Sequence, residues 1–152
     1  MTFTIRRAAL HDAGIVAAFN ARLAVESENK TLAQSTLIPG VKALLADSHK
    51  GVYHLACAND GKPIGQIMYT YEWSDWRNGW FWWVQSVYVT SEYRGKGVFR
   101  ALFDHLVHLA KAQGDVIGFR LYVENDNKPA HEVYQRSGFE RAGYFVLERL
   151  LE

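Results

Sequence analysis

Residues 93–102 read YRGKGVFRAL and follow an apolar run that ends at Val89. Gly95 and Gly97 are separated by one residue, so the backbone can turn tightly and leave the first amides of a helix pointing outward. These amides and the positive end of the helix dipole attract an anion, and Arg94 and Lys96 add positive charge. Taken alone, the turn fits phosphate binding and an ordinary capped connection about equally well.

A second group of polar residues lies at the start of a later helical segment, at residues 127–136. Asn127 suits an N-cap, and Pro129 stands in the first turn, where a missing amide costs little. Tyr134 lies on the same helix, and its hydroxyl is a proton donor of the kind that general acid catalysis uses. The alternative for Tyr134 is a ring that only packs in the core.

The apolar patterns predict the elements that must position these residues. We expect strands at residues 2–8, 52–58, 64–73, 80–89, 116–123, 139–141 and 144–151, and helices at 12–26, 41–46, 97–113 and 127–136, with a polar loop at 27–38. The strand, helix and strand of residues 80–123 require parallel neighbours or a crossover. The sequence therefore predicts a mixed α/β sheet.

Composition limits the class of protein. The chain has 152 residues, which suits one domain, and a net charge of +1 gives it no general attraction for nucleic acid or an anionic membrane. Cys57 is the only cysteine, which excludes an intrachain disulfide and a cysteine-rich zinc site. The N-terminus has no signal pattern, so we expect a cytoplasmic protein, and no residue pattern predicts a metal site.

The two groups of residues together resemble the motifs of the GCN5-related N-acetyltransferase (GNAT) superfamily. Arg94 to Phe99 are similar to its Arg-x-x-Gly-x-Gly/Ala turn. The second signature, Asn-x-x-Ala-x-x-x-Tyr-x-x-x-Gly-Phe, is matched by Asn127, Ala130, Tyr134, Gly138 and Phe139. The resemblance implies a single domain over residues 1–152. Its mixed, mostly antiparallel sheet would have six or seven strands, flanked by about four helices and splayed between the fourth and fifth strands.

The resemblance also implies acetyl-CoA as cosubstrate and assigns roles to residues. The residues implied to hold it are Val87, Tyr88, Val89, Arg94, Gly95, Lys96, Gly97, Val98, Phe99, Asn127 and Tyr134. An amide at Tyr88 or Val89 would polarise the thioester carbonyl, and Tyr134 would protonate the leaving thiolate. Phe99 departs from the family, because Gly or Ala usually stands there. We expect its ring to point aside or reshape the cofactor entrance, without loss of the backbone donors.

The implied acceptor site contains three carboxylates, one aromatic ring and one amide, at Glu26, Glu28, Glu72, Trp83 and Gln85. Such a set suits a cationic amine, although surface carboxylates and core aromatics are the alternative. Many relatives carry carboxylates where this chain has Gln85 and Ser86, and neither of these side chains accepts a proton at neutral pH. The general base must then lie elsewhere or be a chain of water molecules.

These inferences predict an N-acetyltransferase that transfers acetyl directly to a primary amine of a small molecule, polyamine-like or amino-acid-like. The alternatives are a transferase for a different acyl-CoA, which Phe99 would favour, and a catalytically silent acyl-CoA-binding or sensor module. We expect no nucleic acid, membrane or metal partner. The apolar segment at residues 144–151 predicts either a homodimer interface or a strand that completes one sheet.

Overall fold

A five-stranded sheet forms the centre of the computed structural model, which describes residues 2–152. Its strands, in spatial and chain order, are β1 (Phe3–Arg7), β2 (Val52–Ala58), β3 (Pro63–Ser74), β4 (Gly79–Val89) and β5 (Val116–Leu121). Four α-helices accompany them, namely α1 (Ala13–Glu28), α2 (Gln34–Leu45), α3 (Val98–Gln113) and α4 (Lys128–Arg136). Short 3-10 helices stand at Leu10–Asp12 and Ser91–Tyr93.

The first four strands form an antiparallel meander, and β5 returns parallel to β4 after the α3 crossover. Helices α1 and α2 cover one face of β1–β3, where Val16, Leu55 and Met68 form a buried cluster. Helix α3 covers the opposite face, where Trp82 and Leu106 belong to the larger cluster. Strands β2 and β3 are therefore buried on both sides, as their nearly continuous apolar sequences require.

Strands β4 and β5 are paired over only part of their length. Their ladder runs from Trp80 opposite Val116 to Val84 opposite Leu121, and β4 continues to Val89 without a β5 partner. The splay that the resemblance implies between the fourth and fifth strands stays a prediction, and it falls where this ladder ends. Ser86 lies in this free part of β4 with a left-handed φ of 52°, beside a shift of register against β3. This bulge turns the end of β4.

The second helix, predicted at residues 41–46, is present, but it begins earlier than predicted. Residues 34–38 are helical, and Pro39 lies inside α2 instead of beginning it. Val41 is the one buried residue of α2. The helix therefore has little of the apolar periodicity from which a helix start can be predicted. Asn29 ends α1 in the left-handed conformation, with φ of 53°.

The predicted six or seven strands are also wrong, because the described sheet has five. Residues 139–141 and 144–151, both predicted as strands, pair with no strand of residues 2–152. Every residue from 141 to 152 is exposed. β-Branched and aromatic residues favour an extended chain, but a strand also needs a neighbour whose backbone accepts its hydrogen bonds.

Candidate active site

The N-terminus of α3 presents free backbone donors. Gly95 and Gly97 have φ of 76° and 85°, a left-handed conformation that glycine adopts without strain. The Ala101 amide donates to the Gly97 carbonyl, 3.0 Å away, and closes the first turn. Within residues 2–152, the amides at 98–100 that precede it donate to no backbone carbonyl. The turn therefore has the geometry of an anion site at a helix N-terminus.

Arg94 is fixed beside this turn by hydrogen bonds. Its Nη2 lies 2.7 Å from Glu26 Oε1, and its Nε donates to the Val89 carbonyl over 2.9 Å. The Tyr88 hydroxyl donates to the other Glu26 oxygen, over 2.8 Å. The hydrogen bond from Arg94, and then that from Tyr88, hold the pKa of Glu26 below its usual value. Glu26 is thus ionised, with both oxygens occupied.

Phe99 packs away from the turn, between α3 and α4. Its ring is nearly parallel to that of Phe103, with centroids 6.0 Å apart, and meets Tyr134 edge to face at 5.7 Å. Burial raises the pKa of Tyr134, so its hydroxyl is protonated at neutral pH. That hydroxyl has no hydrogen-bond partner among the residues that the structure describes.

Asn127 caps α4, as the sequence predicted. Its Oδ1 accepts a hydrogen bond from the Ala130 amide over 3.2 Å. Its Nδ2 group donates to no acceptor in the described chain. A contact between Asn127 and a cofactor stays a prediction.

The structure brings together three of the five predicted acceptor residues. Glu72, Trp83 and Gln85 lie on one face of adjacent strands, β3 and β4. Trp83 Nε1 donates to Glu72 Oε1 over 2.8 Å, and Gln85 Nε2 donates to Thr70 Oγ1 over 2.8 Å. The other two form no hydrogen bond or ion pair with these three among the described residues. Glu26 contacts Tyr88 and Arg94, whereas the exposed Glu28 at the end of α1 lies 3.5 Å from Lys30.

Arg120 on β5 belongs to the same face, and sequence reasoning missed it. Its Nη1 lies 3.1 Å from Glu72 Oε1, and its Cζ lies 3.8 Å from the centroid of the Phe81 ring. Tyr122, which follows β5, stacks on Trp83 at 4.6 Å. The parallel register of β4 and β5 places Arg120 opposite Trp83, and no sequence motif predicts that register. Arg120 changes the electrostatics of the face, because Glu72 is already paired.

A buried polar network holds the bulge at Ser86 and was also missed. Gln66 is fully buried, and its Nε2 lies 3.0 Å from both the Ser86 carbonyl and Asn20 Oδ1. Asn20 Nδ2 in turn donates to the Tyr53 hydroxyl over 2.9 Å. A left-handed φ at a residue other than glycine costs of order 1–3 kcal/mol. The single amide side chain inside the apolar strand β3 was the available sequence signal for this network.

Comparison with known proteins agrees with this architecture. The sequence model of the Acetyltransferase (GNAT) family matches residues 20–139. A curated relative, an uncharacterised N-acetyltransferase of Methanocaldococcus jannaschii, is 33% identical over 85 residues. That alignment covers 55% of this chain and 37% of the relative, so the chain spans little more than a third of that protein.

Two solved structures extend the comparison. A structure described as a possible acetyltransferase from Clostridium difficile 630 is 43% identical, covers 100% of this chain and 99% of its own, and has a TM-score of 0.92. A predicted acetyltransferase from Clostridium acetobutylicum, solved with acetyl-CoA, has a TM-score of 0.79 over 97% of this chain and 96% of its own. At 18% identity, the second shows the fold alone.

Residues 2–152 contain no group of three or more His, Cys, Asp or Glu side chains placed to hold a metal ion. No described helix has the length and hydropathy needed to cross a bilayer. The family match covers most of the chain, including the α3 turn and Tyr134. The chain belongs to the GNAT family of acetyltransferases.

Proposed function

We propose that this protein is an acetyl-CoA-dependent N-acetyltransferase that acetylates the primary amine of a small, amino-acid-like molecule by direct transfer. One observation carries the proposal. Beyond Val84, β4 has no β5 partner, and after a short 3-10 helix the chain enters the α3 turn with its free amides. An unpaired strand edge is therefore followed in the chain by an anion site.

The described residues fit acetyl-CoA. The free amides at the start of α3, with Lys96 and the Arg94 guanidinium nearby, suit a diphosphate. The backbone of Val87, Tyr88 and Val89 has no β5 partner and suits an arm that carries amide groups. When bound, acetyl-CoA supplies an acyl group activated as a thioester. Asn127 and Tyr134, on α4, are the side chains proposed to contact that arm.

The chain itself supplies the groups that acyl transfer needs. A backbone amide at Tyr88 or Val89, held by the bulge at Ser86, would donate to the acyl oxygen, where negative charge develops. The Tyr134 hydroxyl would give a proton to the departing sulfur, since its raised pKa keeps it protonated. Glu26 has both oxygens occupied, so we propose that water, ordered near Gln85, removes the proton from the amine.

The acceptor face favours an amino-acid-like amine over a polyamine. Glu72 and Arg120 place one negative and one positive group side by side, 3.1 Å apart, and both remain partly exposed. A zwitterion can pair its ammonium with Glu72 and its carboxylate with Arg120, whereas a polyamine would be repelled by Arg120. Trp83 and Tyr122 form an aromatic wall beside these charges. We propose that Glu28 and the end of α1 border the entrance.

The test follows free thiol release from acetyl-CoA with matched acceptors, such as an amino acid, its amide, a diamine and spermidine. We expect the amino acid to react fastest. Arg120→Gln should reduce that preference, because the acceptor carboxylate loses its partner. If no amine reacts although CoA raises the melting temperature, the protein is the silent binding module. If CoA does not raise the melting temperature, the cofactor assignment fails as well.

A second candidate is a transferase for a larger acyl group, and the position of Phe99 favours it. Its ring packs against Tyr134, so it helps to set the position of the proposed proton donor. We expect Phe99→Ala to change the ratio of kcat/KM between acetyl-CoA and propionyl-CoA. An unchanged ratio would show that Phe99 has no part in acyl selection.

We also propose a cytoplasmic location and a small-molecule partner. A reducing, cytoplasmic location agrees with a single buried, free thiol at Cys57. The nearly neutral net charge agrees with a small-molecule substrate and with no nucleic acid or membrane partner.

A further inference from the structure

A cavity of about 960 Å³ lies between α1, the start of β3 and the segment that links β4 to the α3 turn. Sites for small molecules usually have volumes of about 300–1,000 Å³, so this cavity is large enough for one. Phe19, Ile64 and Tyr88 form an apolar part of its lining, and each of them is at most 7% exposed. The rings of Phe19 and Tyr88 pack together, with centroids 5.3 Å apart. This part of the cavity can therefore cover an apolar group.

Three cationic side chains from three different parts of the chain also line the cavity. They are Arg22 on α1, Lys62 just before β3 and Lys96 in the α3 turn, and all three are exposed. None of them lies within 4.0 Å of a carboxylate oxygen in residues 2–152. Among the described residues, Glu92 is the one carboxylate in the lining, which leaves an excess of two positive charges. The whole chain has a net charge of only +1, so this cavity concentrates positive charge and favours an anion.

A buried hydroxyl without a partner belongs to the same lining. Thr90 precedes the 3-10 helix Ser91–Tyr93, and its Oγ1 has no hydrogen-bond partner in the described part of the chain. The Thr90 backbone is fixed, because its amide donates to the Ile64 carbonyl and its carbonyl accepts from the Tyr93 amide, both over 2.9 Å. A buried hydroxyl costs free energy unless it is paired. A polar group bound in the cavity would be an available partner for it.

The cavity is separate from the proposed acetyl-CoA site. No described residue of α3, β5 or α4 lines it, so it does not include Asn127 or Tyr134. Tyr88 and Lys96 belong to both sites, but Tyr88 would serve acetyl-CoA through its backbone and the cavity through its side chain. Lys96 Nζ lies 5.5 Å from the centroid of the Tyr93 ring, which also lines the cavity. Both sites can therefore be occupied at the same time.

We propose that this cavity binds a small phosphate monoester with an apolar body, while acetyl-CoA occupies its own site. At neutral pH a phosphate monoester has a charge of about −1.5 to −2 and three acceptor oxygens, which match the excess of two positive charges. Its phosphate would pair with Arg22, Lys62 and Lys96, and its body would pack on Phe19 and Ile64. A monocarboxylate would neutralise only half of the excess charge.

Calorimetric titration with phenyl phosphate, in a buffer without phosphate, tests the site. The protein is first saturated with CoA, so that the free amides of the α3 turn are occupied. We expect phenyl phosphate to bind at one further site, and phenol, which has the same ring without the charge, to bind at least about tenfold more weakly. The proposal is wrong if CoA prevents the binding of phenyl phosphate or if phenol binds equally well. If CoA itself does not bind, the proposed function fails, and the variants below test the cavity in the unliganded protein.

Two variants assign the binding to the cavity. We expect Lys62→Gln and Arg22→Gln each to weaken the binding of phenyl phosphate about fivefold, because each removes one exposed cation from the lining. Lys111→Gln is the matched control, since Lys111 is also an exposed lysine but lies on α3, outside the cavity. Unchanged binding in both cavity variants would place the phosphate elsewhere. An equal loss in Lys111→Gln would indicate general charge attraction, and either result would overturn the proposal.

Discussion

The inner part of the molecule, residues 2–113, buries most of its large apolar side chains, whereas the outer part, residues 114–152, leaves many of them exposed. Strands β2 and β3 of the inner part are almost entirely buried, between α1 and α2 on one side and α3 on the other. In the outer part, α4 buries no residue and the C-terminal tail, residues 141–152, exposes six large apolar side chains. The inner part thus supplies stability, and the proposed chemistry lies at the boundary where β4 leaves β5.

Tyr134 belongs to the outer part, and its hydroxyl should affect activity more than stability. We expect Tyr134→Phe to lower kcat by about 10²–10⁴-fold, the usual range for loss of a positioned general acid, with little change in melting temperature. Steady-state kinetics with acetyl-CoA measure this. Tyr71→Phe is the control, since Tyr71 bonds only the Ser48 carbonyl. Equal rates in all three proteins would contradict the assignment.

Leu55 is fully buried in the inner part, and its truncation should affect stability most. We expect Leu55→Ala to lower the free energy of unfolding by about 2–5 kcal/mol, because it leaves a cavity. Leu147→Ala in the tail should change it by less than about 0.5 kcal/mol, because Leu147 is 93% exposed. Denaturant titration of both variants measures the two changes. Equal losses in the two variants would contradict the distinction between the two parts.

His54 makes the inner part sensitive to acid. Burial, and then the nearby His105 and Arg7, lower the pKa of His54 from 6.5 to about 4. Between these values the unfolded chain binds a proton that the folded chain does not, so the free energy of unfolding falls as pH falls, and this contribution levels off below about pH 4. From pH 7 to pH 5 we expect a loss of about 2 kcal/mol from this group.

The measurement compares denaturation of the unmodified protein and of His54→Gln at both pH values. The variant should lose less stability on acidification by about that amount. Parallel losses in the two proteins would assign the acid sensitivity to other groups.

Gly97 and Gly114 stand at the two ends of α3 in closely matched backbone conformations. Substitution there has the smallest expected effect. Both have left-handed φ, 85° and 91°, and an added Cβ would meet no atom within 4 Å at either site. Alanine should therefore cost about 1–2 kcal/mol of stability at each. Gly97→Ala alone should also weaken CoA binding, measured by calorimetry, because it disturbs the free amides. Equal CoA affinities for both variants would mean that the turn holds no diphosphate.

Sequence patterns predicted the features that depend on local chemistry. The glycine turn, the Asn127 cap and the hairpin of β2 and β3 follow from backbone preferences of a few adjacent residues, and all three are present. The match of two motifs predicted the family, which the family comparison confirms. The roles of individual site residues stay predictions.

Features that depend on long-range register were not predictable in this way. The pairing of Glu72 with Arg120 joins β3 to β5 across β4, and nothing near either residue in sequence specifies it. The first part of α2, residues 34–40, was missed, and Val41 is the one residue of the helix that is buried. The last strands were predicted from composition, but within the described chain they lack the neighbour that a strand requires.

The bulge at Ser86 has a consequence for cofactor binding. A glycine would adopt its left-handed φ without strain, but it would also visit other conformations. Ser86 is held there by the hydrogen bond from Gln66, at the cost of local strain in the folded state. We therefore expect the end of β4 beyond Val84 to hold a single conformation before a ligand binds. Binding of acetyl-CoA would then lose little conformational entropy. Ser86→Gly should give a more stable protein that binds acetyl-CoA more weakly.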